Sequence, residues 1–292
     1  MITCEHDFQM EKRLRALDPE LHRRFTNTVF ALQHGLSHYR RLFPEYTDHS
    51  ELHSMTVVDF CNQLIGREQI EMLNADEIYV LLMGCYLHDI GMGISEKDYE
   101  QFKESFDHES YFSAHPGAEI ADYVRDYHNE FSGLYIRKYA QLLEIPSEEH
   151  LFCIVQIARG HRRTNLFDAE EYPAAYPLAN GNTVCLPYLA ALIRLADEID
   201  VAADRNPILL YDITLLTDEV QIYHSRILAA VPKLHTSEDL FLMDVQTDAV
   251  EIYEGIRIMC KKMQATLDYC STAVAERTPY RISQTRVDIR RI

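Results

Sequence analysis

The sequence predicts a mainly α-helical protein with a small α+β region at its carboxyl end. Three observations predict this class. Apolar residues recur at helical spacing through roughly the first 200 positions, capping residues and prolines mark where segments begin and end, and from about residue 206 short alternating runs of β-branched and aromatic residues replace that pattern. We therefore expect a helical core with a smaller annex packed on it.

The composition is that of a globular protein with a strong negative charge. Of the 292 residues 47% are hydrophobic, no apolar run approaches the length of a bilayer span, and the amino-terminal residues lack the apolar stretch of a signal peptide. The formal charge of -18 repels a phosphate backbone, so extended nucleic acid is not an expected partner. Seven cysteines without CxxC spacing indicate reduced thiols rather than a disulfide scaffold or a structural zinc cluster. We expect a cytoplasmic protein that does not bind a membrane, with a homo-oligomeric state left open.

The stretch from Tyr79 to Gly93 is expected to be the centre of the fold. Asn74 and Glu77 have the spacing of a capping box and two glycines end the pattern, so the helix should run from about residue 75 to about residue 90. Its apolar face continues into His88 and Asp89, which places both polar side chains inward. A buried, ionised aspartate needs a compensating cation or hydrogen bonds. A divalent metal site and a neutral histidine donating to the aspartate both stay open for this pair.

Four further segments place a metal-binding side chain at or near a helix end. His53 heads an apolar stripe, with His49 one turn earlier, and His161 closes another stripe. Asp197 lies where an apolar face turns acidic, and His115 precedes the proline that starts a helix. For each of these residues taken alone, ordinary packing in the core or at a helix end is the alternative.

Together these side chains suit two divalent metals. The predicted ligands are His53, His88, Asp89, His115, His161 and Asp197. Four imidazoles and two carboxylates, one of them bridging, fit two first-row ions and leave coordination positions open. With neutral histidines the centre keeps a positive charge, which would attract a small anion into an acidic protein. Manganese, iron, magnesium and other ions all stay open as the native metal.

Cations near these ligands are candidates for binding a substrate. Arg162 and Arg163 can hold a phosphate through forked hydrogen bonds, or alternatively interact with the helix dipole. Lys97 is a further candidate, with a solvated surface charge as its alternative. The irregular connection over residues 165–187 is a candidate lid.

Other polar residues near the predicted ligands are candidates for support. Asp200, Asp204 and Arg205 can supply hydrogen bonds to the ligands, and for the last two a local ion pair is the alternative. His49 is a candidate for an extra metal, or for the first ligand in place of His53.

The pattern divides the chain into three regions. Residues 1–44 are expected to form helices that pack on the core, residues 45–207 the metal-binding helical domain, and residues 208–292 the α+β annex. In the annex, YDITLL, EVQIYH and LFLMDVQTD are predicted strands, followed by a helix from about residue 248 to about residue 275 and a last strand in RISQTRVDI.

Over roughly residues 45–207 the chain resembles the HD superfamily of metal-dependent phosphohydrolases, whose fold is a helical bundle. The resemblance lies in His53 of LHSMTV, the pair His88 and Asp89 of YLHDIG, and Asp197 of RLADEID, which occur in the order of the superfamily. The runs RLADEIDVAADRNP and YTDHSELHS are most similar to HD domains found beside Hsp90-like ATPase modules in bacteria, although this chain has no such ATPase motif.

Two histidines make the chain similar to the binuclear branch of that superfamily. His115 in HPGAEI and His161 in RGHRR match the additional ligands of this branch, which includes the HD-GYP phosphodiesterases and mixed-valence diiron oxygenases. The chain has no GYP tripeptide after HRRT and no histidine after HDIG, which argues against a cyclic-di-GMP phosphodiesterase and a deoxynucleotide triphosphohydrolase. His49 stands where some HD-GYP enzymes place a ligand of a third metal.

The resemblance implies a phosphohydrolase or phosphodiesterase that acts on a small phosphorylated substrate, a nucleotide or cyclic nucleotide. It implies a first metal on His53, His88, Asp89 and Asp197, and a second on Asp89, His115 and His161. A hydroxide bridging the metals would attack phosphorus while Arg162 or Arg163 neutralises an oxygen. Two alternatives stay open, namely a diiron oxygenase with the same six ligands and a non-catalytic module that senses a nucleotide.

Overall fold

The computed structural model describes residues 9–33, 35–46, 49–202 and 217–292. These parts contain eleven α-helices and five short strands, which confirms the predicted mainly α class with a small strand-containing region near the carboxyl end. The helices are α1 Gln9–Leu17, α2 Pro19–Leu32, α3 Glu51–Ile70, α4 Ala75–Leu87, α5 Glu96–Phe102, α6 His108–Ala114, α7 Ile120–Lys138, α8 Glu148–Gly160, α9 Leu186–Ile199, α10 Glu219–Ala229 and α11 Val250–Arg277. The strands are β1 Tyr176–Pro177, β2 Thr183–Val184, β3 Lys233–Thr236, β4 Leu240–Val245 and β5 Arg286–Arg291.

Helix α4 is the central helix of the bundle. It begins with the predicted capping box, in which Asn74 Oδ1 accepts from Glu77 N at 3.0 Å and Glu77 Oε2 accepts from Asn74 N at 3.1 Å. Every residue from Asp76 to Leu87 is buried, because α1, α2, α3, α8 and α9 all pack around this helix. A helix covered on all sides is held by packing, and its end is therefore a fixed position for functional side chains.

The end of α4 lies slightly earlier than the sequence predicts. Residue Asp89 leaves helical geometry, with φ -103° and ψ 4°, and a short 3-10 turn over Ile90–Gly93 follows. Ser132 of α7 holds this turn, since its Oγ donates to the carbonyl of His88 at 2.6 Å and accepts from the backbone of Gly91 at 2.9 Å. A Cβ on Gly91 would lie 2.2 Å from the carbonyl oxygen of His128, so only glycine lets α7 approach this closely.

The amino-terminal helices cover one side of α4. Asp18 caps α2 by accepting from two backbone N–H groups at 2.9 Å, and Pro19 occupies the first helical position, as its fixed φ favours. Leu21, Phe25 and Val29 of α2 are buried in the core that α4 organises. Helices were expected over residues 1–44, and α1 and α2 agree with that pattern within the described part of this region.

Most of the connection between α8 and α9, which was the candidate lid, lies away from the cavity that Asn165 at its start helps to line. Its short β1–β2 ladder is fixed to the start of α4, where Asp76 accepts from Asn180 at 3.0 Å and from Asn182 at 2.7 Å. The candidate metal ligands lie at the opposite end of α4, about 20 Å away along thirteen residues of helix. The part of the connection beyond residue 173 therefore braces the fold at the end remote from the site.

The carboxyl-terminal region combines a three-stranded sheet with two helices. Strand β4 pairs antiparallel with β3 and parallel with β5, α11 connects β4 to β5, and α11 also packs along α9. The predicted long helix and the strands in LFLMDVQTD and RISQTRVDI are confirmed as α11, β4 and β5.

One predicted strand of this region is a helix. The run EVQIYH begins α10, because Asp218 caps two backbone N–H groups and directs the chain into a helix whose buried face packs on α11. The predicted strand YDITLL and the boundary expected at residues 207 and 208 lie outside the described residues.

Candidate metal centre

Side chains from five helices or helix ends converge beside the end of α4. They form two groups with ligand atoms within 4.8 Å of one another, and Asp89 belongs to both. The first group is His53, His88, Asp89 and Asp197, and the second is Asp89, His128 and His161. The first group is the predicted set for the first metal, whereas the second contains a histidine that the sequence did not indicate.

Asp89 lies between the two groups of imidazoles. Its Oδ2 is 3.4 Å from Nε2 of His88 and 3.6 Å from Nε2 of His53. Its Oδ1 is 3.2 Å from Nε2 of His128 and 3.5 Å from Nε2 of His161. Each carboxylate oxygen thus faces one pair of histidines, which is the arrangement of a bridging carboxylate.

The other ring nitrogen of each histidine is held by an acceptor. Nδ1 of His88, His128 and His161 donates to the backbone carbonyl three residues earlier, at 2.9, 2.6 and 2.5 Å. Nδ1 of His53 instead faces the carboxylate of Asp200 at 2.7 Å. Because these partners only accept, each Nδ1 carries the hydrogen and each Nε2 presents a lone pair toward the cluster.

The Nε2 atoms of the four histidines lie in two close pairs, with their lone pairs directed at each other. Nε2 of His53 lies 3.2 Å from Nε2 of His88, and Nε2 of His128 lies 2.9 Å from Nε2 of His161. Two acceptors at such distances repel each other unless a cation or proton lies between them. Imidazole nitrogens with carboxylate oxygens are the donor set that first-row divalent metals prefer, so these residues fit metal ions.

The electrostatics of the cluster favour an ionised Asp89 and a neutral His161, which are the forms that bind metal ions. Burial alone would raise the pKa of Asp89, but its interactions with the surrounding His88, His128, His49 and His53 outweigh burial and hold that pKa well below its usual value. Burial, reinforced by the neighbouring His88 and His128, lowers the pKa of His161 to about 3. Asp89 is therefore ionised and His161 neutral near pH 7.

His115 does not join the cluster, and its predicted role as a ligand is corrected. It caps the end of α6 as an exposed side chain, with Nδ1 2.9 Å from the carbonyl of Tyr111 and its ring packed on the Tyr111 ring. His128, in the middle of α7, occupies the corresponding place in the second group. Val124, His128 and Phe131 lie on the same buried face of α7, and this helical stripe is the sequence signal that could have identified His128 as an inward residue.

His49 and Asp197 lie on the side of the cluster that faces the cavity. Nδ1 of His49 lies 2.8 Å from Asp89 Oδ2, so His49 contacts the Asp89 carboxylate through Nδ1, whereas the other histidines face it through Nε2. Asp197, at the end of α9, lies 3.4 Å from Nε2 of His53 and has 26% of its side chain exposed. Asp204 and Arg205, predicted as supporting residues, lie outside the described residues.

The three candidate cations differ in their surroundings. Arg162 is partly buried, and burial, reinforced by the charge of Arg163, lowers its pKa. Arg163, at φ 60°, is exposed and donates to the carboxylate and carbonyl of Asp126 at 2.9 Å. Lys97 is exposed on α5 and does not line the cavity beside the cluster, so the structure does not support its predicted role. Among the described residues, no carboxylate lies within ion-pair distance of Arg162.

A cavity of about 1070 Å³ opens on the cluster. Its cluster end is lined by His49, Asp89, Arg125, His128, His161, Arg162 and Asp197. From there it extends to a wall formed by α10 and α11. Clefts of this size are typical of binding sites for small molecules.

Within the part of the chain that the structure describes, no single helix has both the length and the apolar composition to cross a membrane; one sharply bent helix pair meets those two criteria jointly.

A helical bundle with a His-Asp pair at the end of its central helix, joined there by histidines and a distal aspartate, defines an HD-type domain. The comparison with protein families agrees with this class: the model of the HD-CE family matches residues 43–279, and the chain belongs to that family. No curated protein and no solved structure gives a significant match to this chain.

Proposed function

We propose that this HD-CE protein is a metal-dependent phosphohydrolase that acts on a small phosphorylated substrate, a nucleotide or cyclic nucleotide. The observation that carries the proposal is the position of Asp89, whose two oxygens each face a pair of imidazoles with their Nε2 lone pairs turned inward. His53, His88, Asp89 and Asp197 would hold one ion, and Asp89, His128 and His161 a second. Two such ions would supply Lewis acidity for hydrolysis of a phosphoester.

The residues around the cluster support an anionic substrate. Arg162 presents a partly buried guanidinium to the cavity, and its Nη1 lies 3.5 Å from Nδ1 of His128, which carries a hydrogen and so does not accept from it. Burial without a carboxylate partner makes this cation available for a phosphate oxygen. Arg125 also lines this end of the cavity, where its guanidinium lies over the ring of Tyr46. These arginines give a chain of formal charge -18 a local site that attracts anions.

Two features of the chain orient the reacting groups. Asp200 fixes the ring of His53 from behind, and Ser132 fixes the backbone at His88, so the ligands approach the reaction centre in set directions. Asp197 and His49 lie on the cavity side of the cluster, where a substrate and the attacking water would meet.

The test is phosphate release from a panel of nucleotides and cyclic nucleotides, with manganese or iron restored to anaerobically purified protein. We expect hydrolysis of at least one compound, and a decrease in kcat/KM of about 100-fold for Arg162→Met. Arg163→Met is the matched control, since Arg163 is already paired with Asp126, and should change kcat/KM by less than about tenfold. Metal-loaded protein that hydrolyses no member of the panel but consumes oxygen would overturn the proposal in favour of an oxygenase.

A further inference from the structure

The cavity beside the cluster has two ends of different character. Arg125 and Arg162 lie at the cluster end, whereas the far wall is formed by apolar side chains of α10 and α11. These apolar residues are Val220, Ile227, Leu228, Ile258 and Met259. Val220 and Ile258 are 65% and 67% exposed, which is unusual for such side chains beside a cavity. A phosphate group alone would fill only a small part of about 1070 Å³.

One polar side chain in the far wall, that of Gln221, has no hydrogen-bond partner among the residues that the structure describes. Gln221 of α10 is 93% buried, since its relative exposure is 7%, and it lines the cavity. Its side-chain amide makes no hydrogen bond with the described part of the chain, so both its donor and its acceptor stay available to a ligand in the cavity. The neighbouring tyrosine hydroxyls are already engaged: that of Tyr223 donates to the carbonyl of Glu251 at 3.1 Å, and that of Tyr269 accepts from the backbone of Leu166 at 2.8 Å.

The unpaired amide and the apolar wall together specify the chemistry of a ligand. An amide offers one donor and one acceptor side by side, which is complementary to a heterocycle edge that carries an acceptor next to a donor. The faces of such a ring are apolar and suit the side chains of Ile258 and Met259. A plain sugar phosphate has hydroxyl groups but neither a heterocycle edge for the amide nor a ring face for this wall.

We propose that the α10–α11 end of the cavity is a nucleobase subsite and that Gln221 determines base specificity by pairing with the edge of the base. The proposal rests on the proposed function for the phosphate end, where the arginines and the histidine cluster lie. The substrate would thus lie along the cavity, with its phosphate at Arg162 and its base against α10 and α11.

The test compares binding of nucleoside monophosphates with binding of ribose 5-phosphate by isothermal titration calorimetry. We expect at least one nucleotide to bind tenfold or more tightly than ribose 5-phosphate, because only the nucleotide places a heterocycle edge against the amide and a ring face against the apolar wall. Gln221→Leu should remove this preference while the affinity for ribose 5-phosphate changes less than twofold. The same dissociation constants for all nucleotides and ribose 5-phosphate, or no binding of any of them, would overturn the subsite.

Two variants of α11 locate the subsite. Met259→Asp places a charge in the cavity wall and should reduce nucleotide affinity at least tenfold. Val250→Asp is the matched control on the same helix, since Val250 is 73% exposed and lies outside the cavity, and its affinity should equal that of the wild type. Equal effects of the two variants would contradict the placement. Base-dependent binding without phosphate release would leave the subsite standing and remove the proposed hydrolase, so the two failures are distinguishable.

Discussion

The carboxylate of Asp200 lies 2.7 Å from Nδ1 of His53, and this contact determines which nitrogen His53 turns toward the cluster. The other three histidines of the cluster use a backbone carbonyl for the same purpose. Of these four histidines, His53 is therefore the one whose Nδ1 acceptor can be removed by a side-chain substitution. Carboxylate partners of this kind also raise the basicity of the ligating nitrogen.

Asp200→Ala should weaken metal binding by about 10-fold to 100-fold without removing a ligand. Asp200→Asn keeps an oxygen acceptor at the same place and should weaken binding less. Competition with a chromophoric chelator measures both affinities. Asp59→Ala, an exposed aspartate on the same helix as His53, is the control and should bind metal as the wild type does. An Asp200→Ala variant with unchanged affinity would show that this carboxylate does not orient His53.

Substitution of His128 and of His115 should have opposite outcomes. His128→Ala removes an imidazole that faces Asp89 Oδ1, and it should lose one of two bound ions and most activity. His115→Ala alters an exposed helix end and should keep both ions. Elemental analysis of the two purified variants decides between the ligand that the sequence motif suggests and the one in the structure. Loss of an ion from His115→Ala with retention in His128→Ala would reverse the assignment.

Gly91→Ala should destabilise the protein by about 2 kcal/mol or more, because the added methyl would overlap the backbone of α7. The clash is with main-chain atoms of His128 and Ser132, so relief requires moving α7 and with it the second group of ligands. Gly35→Ala is the control, since its Cβ would meet only ordinary contacts, and it should change the free energy of unfolding by less than about 0.5 kcal/mol. Urea unfolding followed by circular dichroism measures both, and equal stabilities for the two variants would contradict the close approach.

The hydrogen bonds of Asp76 to His150, Asn180 and Asn182 should make the free energy of unfolding depend on pH in the acid range. Burial would raise the pKa of Asp76, but hydrogen bonds from His150, Asn182 and Asn180 outweigh it and lower the pKa from 3.8 to about 2. Because the pKa is lower in the folded state, the stabilisation is complete above the unfolded value and is lost as the pH falls from 3.8 through about 2.

This dependence is measurable as a difference between two proteins. The free energy of unfolding is measured for the metal-free wild type and for metal-free Asp76→Asn at pH 6 and at pH 3. The advantage of the wild type over the variant should be about 1 kcal/mol smaller at pH 3 than at pH 6. Removal of metal from both proteins prevents acid release of ions from contributing. Parallel pH profiles would show that Asp76 has the same pKa in the folded and unfolded states.

Much of the fold was predictable from local patterns. The capping box at Asn74 and Glu77, the cap at Asp18, and the apolar stripes that end in His88 and His161 are encoded within a few residues of one another. They depend on backbone hydrogen bonds and helical periodicity, which the sequence displays directly. The prediction failed for α10, where the cap at Asp218 prevailed over the strand-like residues that follow.

The choice between His115 and His128 depended on tertiary contacts. His115 lies just before α7 and His128 lies within it, and a motif match favours His115. The close packing of α7 on Gly91 is what brings His128 to Asp89. The position of the apolar cavity wall on α10 and α11 relative to the cluster is likewise set by contacts between segments far apart in sequence, which no local pattern contains.

The most direct test of the account is the metal content of anaerobically purified protein, measured by elemental analysis for the wild type and Asp89→Ala. A carboxylate that bridges two groups of histidines predicts two divalent ions per chain in the wild type and loss of both in the variant. Circular dichroism should confirm that the variant is folded. A wild type that binds no ion when metals are supplied, or an Asp89→Ala variant that keeps two, would contradict the bridged centre.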